Sequence, residues 1–302
     1  ISVEAAVPGK SADTVVVGAG LTGLATAVLL ARSGQRVTVL EARHIGAVTT
    51  GNTTGKLSLL QGSVLGDLRQ HAGDEVLQAY VTGNLEGQAW LVRELQNAGI
   101  QPQQRPAYTY TLNGEGMETL EAEMSAAHLA GLPARWSGEL ELPFWVFSSI
   151  WLGDQYQLHP MEVLKMLGEE LLRRGGTIVE NCRVTDVSTD NGGVTVRSER
   201  GEVKALHCVL ATGTPILDRS TFFARLEPSR SFVGAYRLAH RAVPDGMYVS
   251  VGGAGKSLRQ AQGPDGEDVL LVGGGVHVTG RDRDTSETLD EITSWTHEHF
   301  GP

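Results

Sequence analysis

Residues 13–41 read DTVVVGAGLTGLATAVLLARSGQRVTVLE, and the reading of the whole chain starts there. The β-branched run Thr14 to Val17 leads straight into Gly18-Ala19-Gly20-Leu21-Thr22-Gly23. A helix pattern of small residues follows, then a second strand from Arg36 to Leu40 that closes on Glu41. Strand, glycine turn, helix, strand and acid at this spacing make a dinucleotide-binding βαβ unit. Gly18 permits the tight turn, and Gly20 lets the backbone approach a pyrophosphate. Gly23 and Ala27 share a helix face and let the helix lie close to the sheet. The pyrophosphate is expected on the free N–H groups where the helix begins, at Leu21 and Thr22. Glu41 can accept hydrogen bonds from both ribose hydroxyls and would repel a 2′-phosphate. The ribose is therefore of the kind found in FAD or NAD.

Composition narrows the class. The chain has 302 residues, 41% of them hydrophobic, enough for a large core and for two domains. Its 38 glycines punctuate a β-rich chain and form no low-complexity tract. A net charge of −10 leaves no electrostatic footprint for nucleic acid. No apolar run approaches the ~20 residues of a membrane span. The opening ISVEAAVPGKSAD lacks the basic and apolar regions of a signal peptide and lacks an initiator Met. Cytoplasm is the expected compartment, and the chain as given is expected to be trimmed. Cys182 and Cys208 fall near predicted strands and read as buried thiols, with no metal site expected.

After Glu41 come Ala42 and Arg43, then a segment dense in glycine and threonine that runs through Thr50 to Lys56. Its hydroxyls and backbone N–H groups, Thr53, Thr54, Gly55 and Lys56 among them, suit contact with phosphates and a flavin ring. Residues 67–98 read as helix interrupted near Gly73 and Gly83, with Leu85, Ala89, Val92 and Leu95 on one face. Tyr108 to Leu112 alternates like a strand, and Met117 to Ala130 is helical. The apolar aromatic runs Leu142 to Phe147 and Ser149 to Leu152 read as sheet core or as the wall of a substrate pocket. His159-Pro160 opens a helix with Val163, Leu164, Leu167, Leu171 and Leu172 inward. A series of short strands then ends in Ala211-Thr212-Gly213, and strand patterns at 231–238, 247–251 and 269–272 precede a helix over 286–299. Gly252-Gly253-Ala254-Gly255-Lys256-Ser257 has the look of a phosphate loop, but Ser250 stands where the pattern needs glycine, and no helix pattern follows. Asp282, Asp284 and Glu287 read as a solvated face.

In this order of segments the chain resembles the FAD-dependent oxidoreductases of the D-amino-acid oxidase, glycine oxidase and sarcosine oxidase superfamily. The likeness rests on the Gly18 to Gly23 turn with Glu41 and on the hairpin run from Arg183-Val184 to Val209-Leu210-Ala211-Thr212-Gly213. It rests also on substrate-domain strands inserted between pieces of the cofactor domain. Three further stretches, at 50–56, 155–160 and 273–280, resemble the subgroup often fused to a Rieske iron–sulfur domain. The resemblance implies an α/β fold, α+β overall, with a Rossmann-like FAD-binding domain interleaved with an antiparallel-sheet substrate domain. The expected boundaries are 1–100 with 159–225 for the first domain, and 101–158 with 226–302 for the second. In the family, the residue matching Val184 presents its backbone to the adenine, and the Ala211-Thr212-Gly213 segment lies near the diphosphate. Relative to a complete FAD unit, the chain is expected to lack roughly 60 residues at its end.

The resemblance also implies the chemistry: oxidation of the C–N bond of a small amine or amino acid, with hydride passing to flavin N5 and water hydrolysing the imine. A substrate carboxylate calls for a bidentate arginine. Arg259 and Arg237 are the candidates, with His277 in the glycine-rich 273–280 stretch as a pocket residue. An iron–sulfur acceptor outside this chain is the partner implied for the electrons. The alternatives are a truncated, non-catalytic FAD-fold protein and, against the Ala211-Thr212-Gly213 return, an NAD-dependent dehydrogenase.

Overall fold

A computed structural model of the protein describes residues 11–301, apart from 139, 191, 218–220, 240, 241, 254 and 282–284. In chain order the strands are β1 (Ala12–Val17), β2 (Val37–Leu40), β3 (Lys56–Leu57), β4 (Gln103–Thr111), β5 (Arg135–Ser137), β6 (Ser148–Gln157), β7 (Thr177–Val179), β8 (Val184–Asp190), β9 (Gly193–Ser198), β10 (Gly201–Leu210), β11 (Ser229–Tyr236), β12 (Met247–Ser250), β13 (Ser257–Gln262) and β14 (Asp268–Val278). The α-helices are α1 (Leu21–Arg32), α2 (Val64–Ala72), α3 (Asp74–Asn97), α4 (Met117–Leu129), α5 (Pro160–Arg173) and α6 (Thr285–Phe300). The expected α/β class, α+β overall, is what these elements build.

Two compact units divide the chain. The first runs to Gly55 and resumes over His159–Leu226; the second is Lys56–Leu158 with Glu227–Pro302. The sequence reading set the first boundary near residue 100, about 45 residues too late. α2 and α3 fall within the expected 1–100 segment, but their apolar faces pack in the second unit. Leu65 of α2 and Leu77 and Val81 of α3 join Leu120 and Met124 of α4 and Ile150 and Leu152 of β6 in one core cluster.

The first unit holds a six-stranded sheet in the order β7-β2-β1-β10-β9-β8. β7, β2, β1 and β10 are parallel, and β9 and β8 complete it as an antiparallel meander. Val15, Val17 and Leu40 are fully or nearly buried with Val179, Val196 and Val203. Such β-branched runs are expected where a parallel sheet is covered on both faces. α1 and α5 run side by side, joined by a bidentate ion pair in which Arg32 Nε and Nη2 donate to the two carboxylate oxygens of Glu170 at 2.8 Å. With Arg174 adding a further donor, the Glu170 carboxyl is held down at about 2.

The second unit holds an eight-stranded sheet in the order β11-β14-β13-β12-β4-β6-β3, with β5 also on β6. Several sequence expectations are corrected here. The helix breaks at Gly73, where φ is +87°, but runs through Gly83 without interruption. Its buried face is Leu77, Val81, Gln88, Leu91 and Leu95, and Leu85 is exposed. The stretch after Gly252–Ser257, which carries no helix pattern, contains β13, a mostly polar strand whose partners β12 and β14 decide its conformation. The glycine-rich 273–280 stretch continues β14 as far as Val278. Trp145 is 78% exposed, so the aromatic run over 142–147 is core only in part; Phe144 packs on Tyr110, Trp295 and Phe300. Asp282 and Asp284 lie outside the described residues.

Helices α2 and α4 are locked by a buried carboxylate. Glu123 is 0% exposed and accepts from the Gly66 backbone N–H at 2.8 Å, while its Oε1 has no partner. Burial raises its pKa from 4.5 to about 7. The folded state then binds more protons than the unfolded state between those two values, so stability falls as pH rises through that window, by about 3 kcal/mol in all. Glu123→Gln keeps the acceptor for Gly66 and removes the charge. The variant is expected to melt several degrees above wild type near pH 8 and level with it near pH 4.5, measured by thermal scans at both pH values.

Candidate functional site

The cradle is built by β1, α1 and the segments that return to them. Gly18 has φ +107°, and a Cβ there would lie 2.5 Å from the Ala211 carbonyl oxygen. A Cβ on Gly23 would lie 1.9 Å from the Gly18 carbonyl oxygen. Turn, helix and the exit of β10 are therefore in backbone contact, which only glycine allows. The Ala211 N–H donates to the Val17 carbonyl at 2.8 Å, extending the parallel β1–β10 pairing to the edge of the turn. Gly213 follows with φ +73°. At the start of α1, Gly20 has no side-chain cap and the first turn holds no acidic residue. The Leu21 N–H donates to Thr50 Oγ1 at 3.1 Å, and Thr22 is exposed.

Glu41 does more than wait for a ribose. Its two oxygens accept the Ala19 N–H at 2.8 Å and the Arg43 N–H at 2.9 Å, tying the glycine turn to the loop after β2. A carboxylate has about four lone-pair sites, so two remain for hydroxyl donors. The backbone N–H groups of Asn181 and Cys182 donate to the carbonyls of Arg43 and Glu41, which brings the approach to buried Val184 alongside them. Ala42, Thr53, Thr54 and Gly55 lie along the same connection, where Thr53 Oγ1 accepts from the Gly55 N–H at 3.4 Å.

The second unit gathers two basic residues, Arg259 buried and Lys56 half-buried. Arg259 on β13 is 5% exposed. Its Nη1 donates to the Gln260 carbonyl at 3.0 Å and its Nη2 to the Leu158 carbonyl at 3.3 Å, but its buried Nε has no acceptor. Among the described residues no carboxylate forms an ion pair with it. Burial pulls its pKa down to about 10. Lys56 opens β3 opposite Gln157 of β6, and Gln157 is opposite Gln103 of β4. Gln157 Nε2 donates to Gln103 Oε1 at 2.7 Å while its buried Oε1 is unpartnered. Burial and the Arg259 charge together bring Lys56 down to about 7.

The family model for FAD dependent oxidoreductases matches residues 13–302. The chain belongs to this family. It is 26% identical over 290 residues to YhfW of Bacillus subtilis, named as a Rieske 2Fe-2S iron–sulfur protein, covering 94% of this chain and 57% of that one. It is 24% identical over 253 residues to the gamma-glutamylputrescine oxidoreductase of Escherichia coli, covering 78% of this chain and 54% of the relative. The chain thus spans little more than half the length of these relatives. Among solved structures, the L-proline dehydrogenase of P. horikoshii superposes with a TM-score of 0.71 at 18% identity, covering 97% of this chain and 78% of that one. The glycine oxidase of Geobacillus kaustophilus gives 0.71 at 17% identity, with 96% and 78% covered. These likenesses show the fold.

The residues present fit the family's cofactor. A helix start with no acidic side chain in its first turn, reached through a glycine turn and with the Leu21 N–H on the Thr50 hydroxyl, offers backbone donors that suit an anionic pyrophosphate. Thr50, whose hydroxyl takes the Leu21 N–H, was not singled out from sequence; only the fold brings it across 29 positions to that donor.

The three candidates for substrate contact are not brought together. Arg237 is exposed, and its guanidinium is engaged by Asp265 and by Glu267, the latter at 3.7 Å. His277 stacks on Phe232 with ring centroids 5.2 Å apart and shares a hydrogen bond with the Gly275 carbonyl at 2.9 Å. It sits six positions along β14 from Leu271, the residue opposite Arg259, roughly 20 Å away along a strand. Arg259 alone of the three is a buried cation with a donor to spare. Lys56, expected among the cofactor contacts, belongs to the second unit and stands in the field of Arg259. Lys256, from the stretch that resembles a phosphate loop, lies in a β-hairpin and pairs with Glu291 of α6 at 2.7 Å, over the Trp295 ring. No helix among the described residues is long and apolar enough to cross a membrane.

Proposed function

We propose that this oxidoreductase oxidises the C–N bond of a small amino acid or related amine, yielding an imine that water hydrolyses. FAD, when bound, would accept the hydride and with it both electrons of the oxidation. Gly18, Gly20, Leu21, Thr22 and Gly23 would hold its pyrophosphate, with Ala211, Thr212 and Gly213 beside them. Glu41, Ala42 and Arg43 would hold the ribose, Val184 the adenine, and Thr53, Thr54 and Gly55 the phosphates and ring. Arg259 would anchor a substrate carboxylate. The observation that carries this assignment is the buried guanidinium with an unfilled Nε donor and no acidic partner among the described residues. A buried cation without a counter-charge is costly, and a carboxylate entering the site relieves that cost. Likeness to a relative named for a Rieske centre supports an iron–sulfur acceptor, supplied from outside these residues, for the electrons.

A visible spectrum of the chain before and after added FAD is the test. Flavin bands near ~450 nm are expected, and anaerobic addition of a substrate amino acid should bleach them. The corresponding amine without the carboxylate should be about 100-fold less effective, in line with a lost charge-assisted contact. A colourless chain that takes up no FAD would overturn the reading.

A further inference from the structure

Amino acids reach an enzyme as ammonium ions near neutral pH, and an ammonium has no nitrogen lone pair to assist loss of hydride from its α-carbon. Some group has to take that proton. We propose that Lys56 is the proton acceptor, taking the ammonium proton of a substrate whose carboxylate is held by Arg259. The inference rests on the amino-acid oxidation reading and adds a catalytic residue to it.

The geometry supplies the argument. Lys56 opens β3 and pairs with Gln157, and the next residue after Gln157, Leu158, gives its carbonyl to Arg259 Nη2 at 3.3 Å. Lysine and arginine therefore converge at one end of the sheet, next to the unpartnered Gln157 Oε1, which can accept from a substrate N–H. In an α-amino acid the nitrogen and the carboxylate are attached to the same carbon, so a molecule anchored on Arg259 carries its amine to the neighbouring lysine. The charge of Arg259 on β13 acts on Lys56. The residues on its other neighbours are the amides Gln157 of β6, Gln103 of β4 and Gln88 of α3, whose Nε2 donates to the Leu57 carbonyl at 2.9 Å. Burial and the guanidinium charge bring Lys56 down to about 7, so neutral lysine is accessible near neutral pH. When the carboxylate arrives and offsets the Arg259 charge, lysine basicity rises while the amine is in place. The step is a proton transfer: the substrate ammonium becomes a neutral amine and the Lys56 amine becomes an ammonium. Acceptor strength and timing are thus both linked to anchoring.

The probe is 15N-labelled 2-aminoisobutyrate, which has the carboxylate and amine but no α-hydrogen to lose. Bound to the FAD-loaded chain near pH 8, its 15N resonance is expected at the position the same compound shows as a free amine in alkaline solution. In Lys56→Met, and in Lys56→Arg should the methionine variant fold poorly, the bound resonance should stay at the ammonium position. An ammonium signal in the wild-type complex, or a neutral amine that persists in the variants, overturns the role of Lys56 and leaves Arg259 as anchor. Failure of the probe to bind, or binding unchanged in Arg259→Met, overturns the anchor and the proton acceptor with it.

Discussion

Alanine in place of Gly23 is expected to abolish flavin uptake and to lower the melting temperature by roughly 6–12 °C, equivalent to a loss of about 3 kcal/mol. The new Cβ would sit 1.9 Å from the Gly18 carbonyl oxygen, against backbone that cannot rotate away like a side chain. Relief requires α1 to move off the turn. That movement pulls the Leu21 N–H from Thr50 Oγ1 and disturbs the contact of Gly18 with Ala211, so the pyrophosphate donors and the β10 exit are lost together. Thermal melting of the chain without flavin separates the packing effect from the loss of ligand stabilisation, and absorbance after mixing with FAD reads binding. Normal flavin uptake in Gly23→Ala would show that the turn does not hold the cofactor.

Arg259→Met is expected to act in opposite directions on function and on stability. Removing the guanidinium should weaken binding of a carboxylate-bearing substrate by about 100-fold, through loss of a charge-assisted hydrogen bond and of the counter-charge. The fold gives up the hydrogen bonds to the Gln260 and Leu158 carbonyls but sheds a buried cation with an unfilled donor, and a net gain of up to about 1 kcal/mol is expected. The same change relieves Lys56, whose pKa should rise once the neighbouring positive charge is gone. Anaerobic titration with substrate, read at the flavin band, and a thermal melt at the same pH check both halves. A large fall in melting temperature with unaltered substrate affinity would make Arg259 a structural residue.

The pairing of these residues explains which parts of the site were legible beforehand. The βαβ unit is local: each glycine from 18 to 23 is set by its own backbone geometry and its neighbours a turn away, so the spacing carries the information. Val163, Leu164, Leu167 and Leu171 on α5 were legible for the same reason, as an apolar stripe of helical period beginning at Pro160. α3 is the counter-example. Leu85 and Leu95 are both compatible with an apolar face, but only Leu95 is buried, because the helix rotates to present Leu77 and Val81 to α2 and α4. β13 is mostly polar, with Leu258 its one large apolar residue, and is a strand through pairing on both sides, a contribution that periodicity does not carry.

By itself the sequence determined the nucleotide half of this protein: a glycine turn, a helix start without acids and an acidic residue closing the second strand, all within 29 positions. It also determined the α/β class. Tertiary structure alone decided which arginine is a candidate anchor. Arg237 falls in a strand pattern and Arg259 in a mostly polar stretch without one, and neither context says which of the two is buried. One meets Asp265 and Glu267 at the surface, and the other is carried inside by β12 and β14, beside Lys56 from a strand about 200 residues earlier. A side chain's charge is written in the sequence. Its solvation and its neighbours are set by long-range strand register, and those determine what the charge can do.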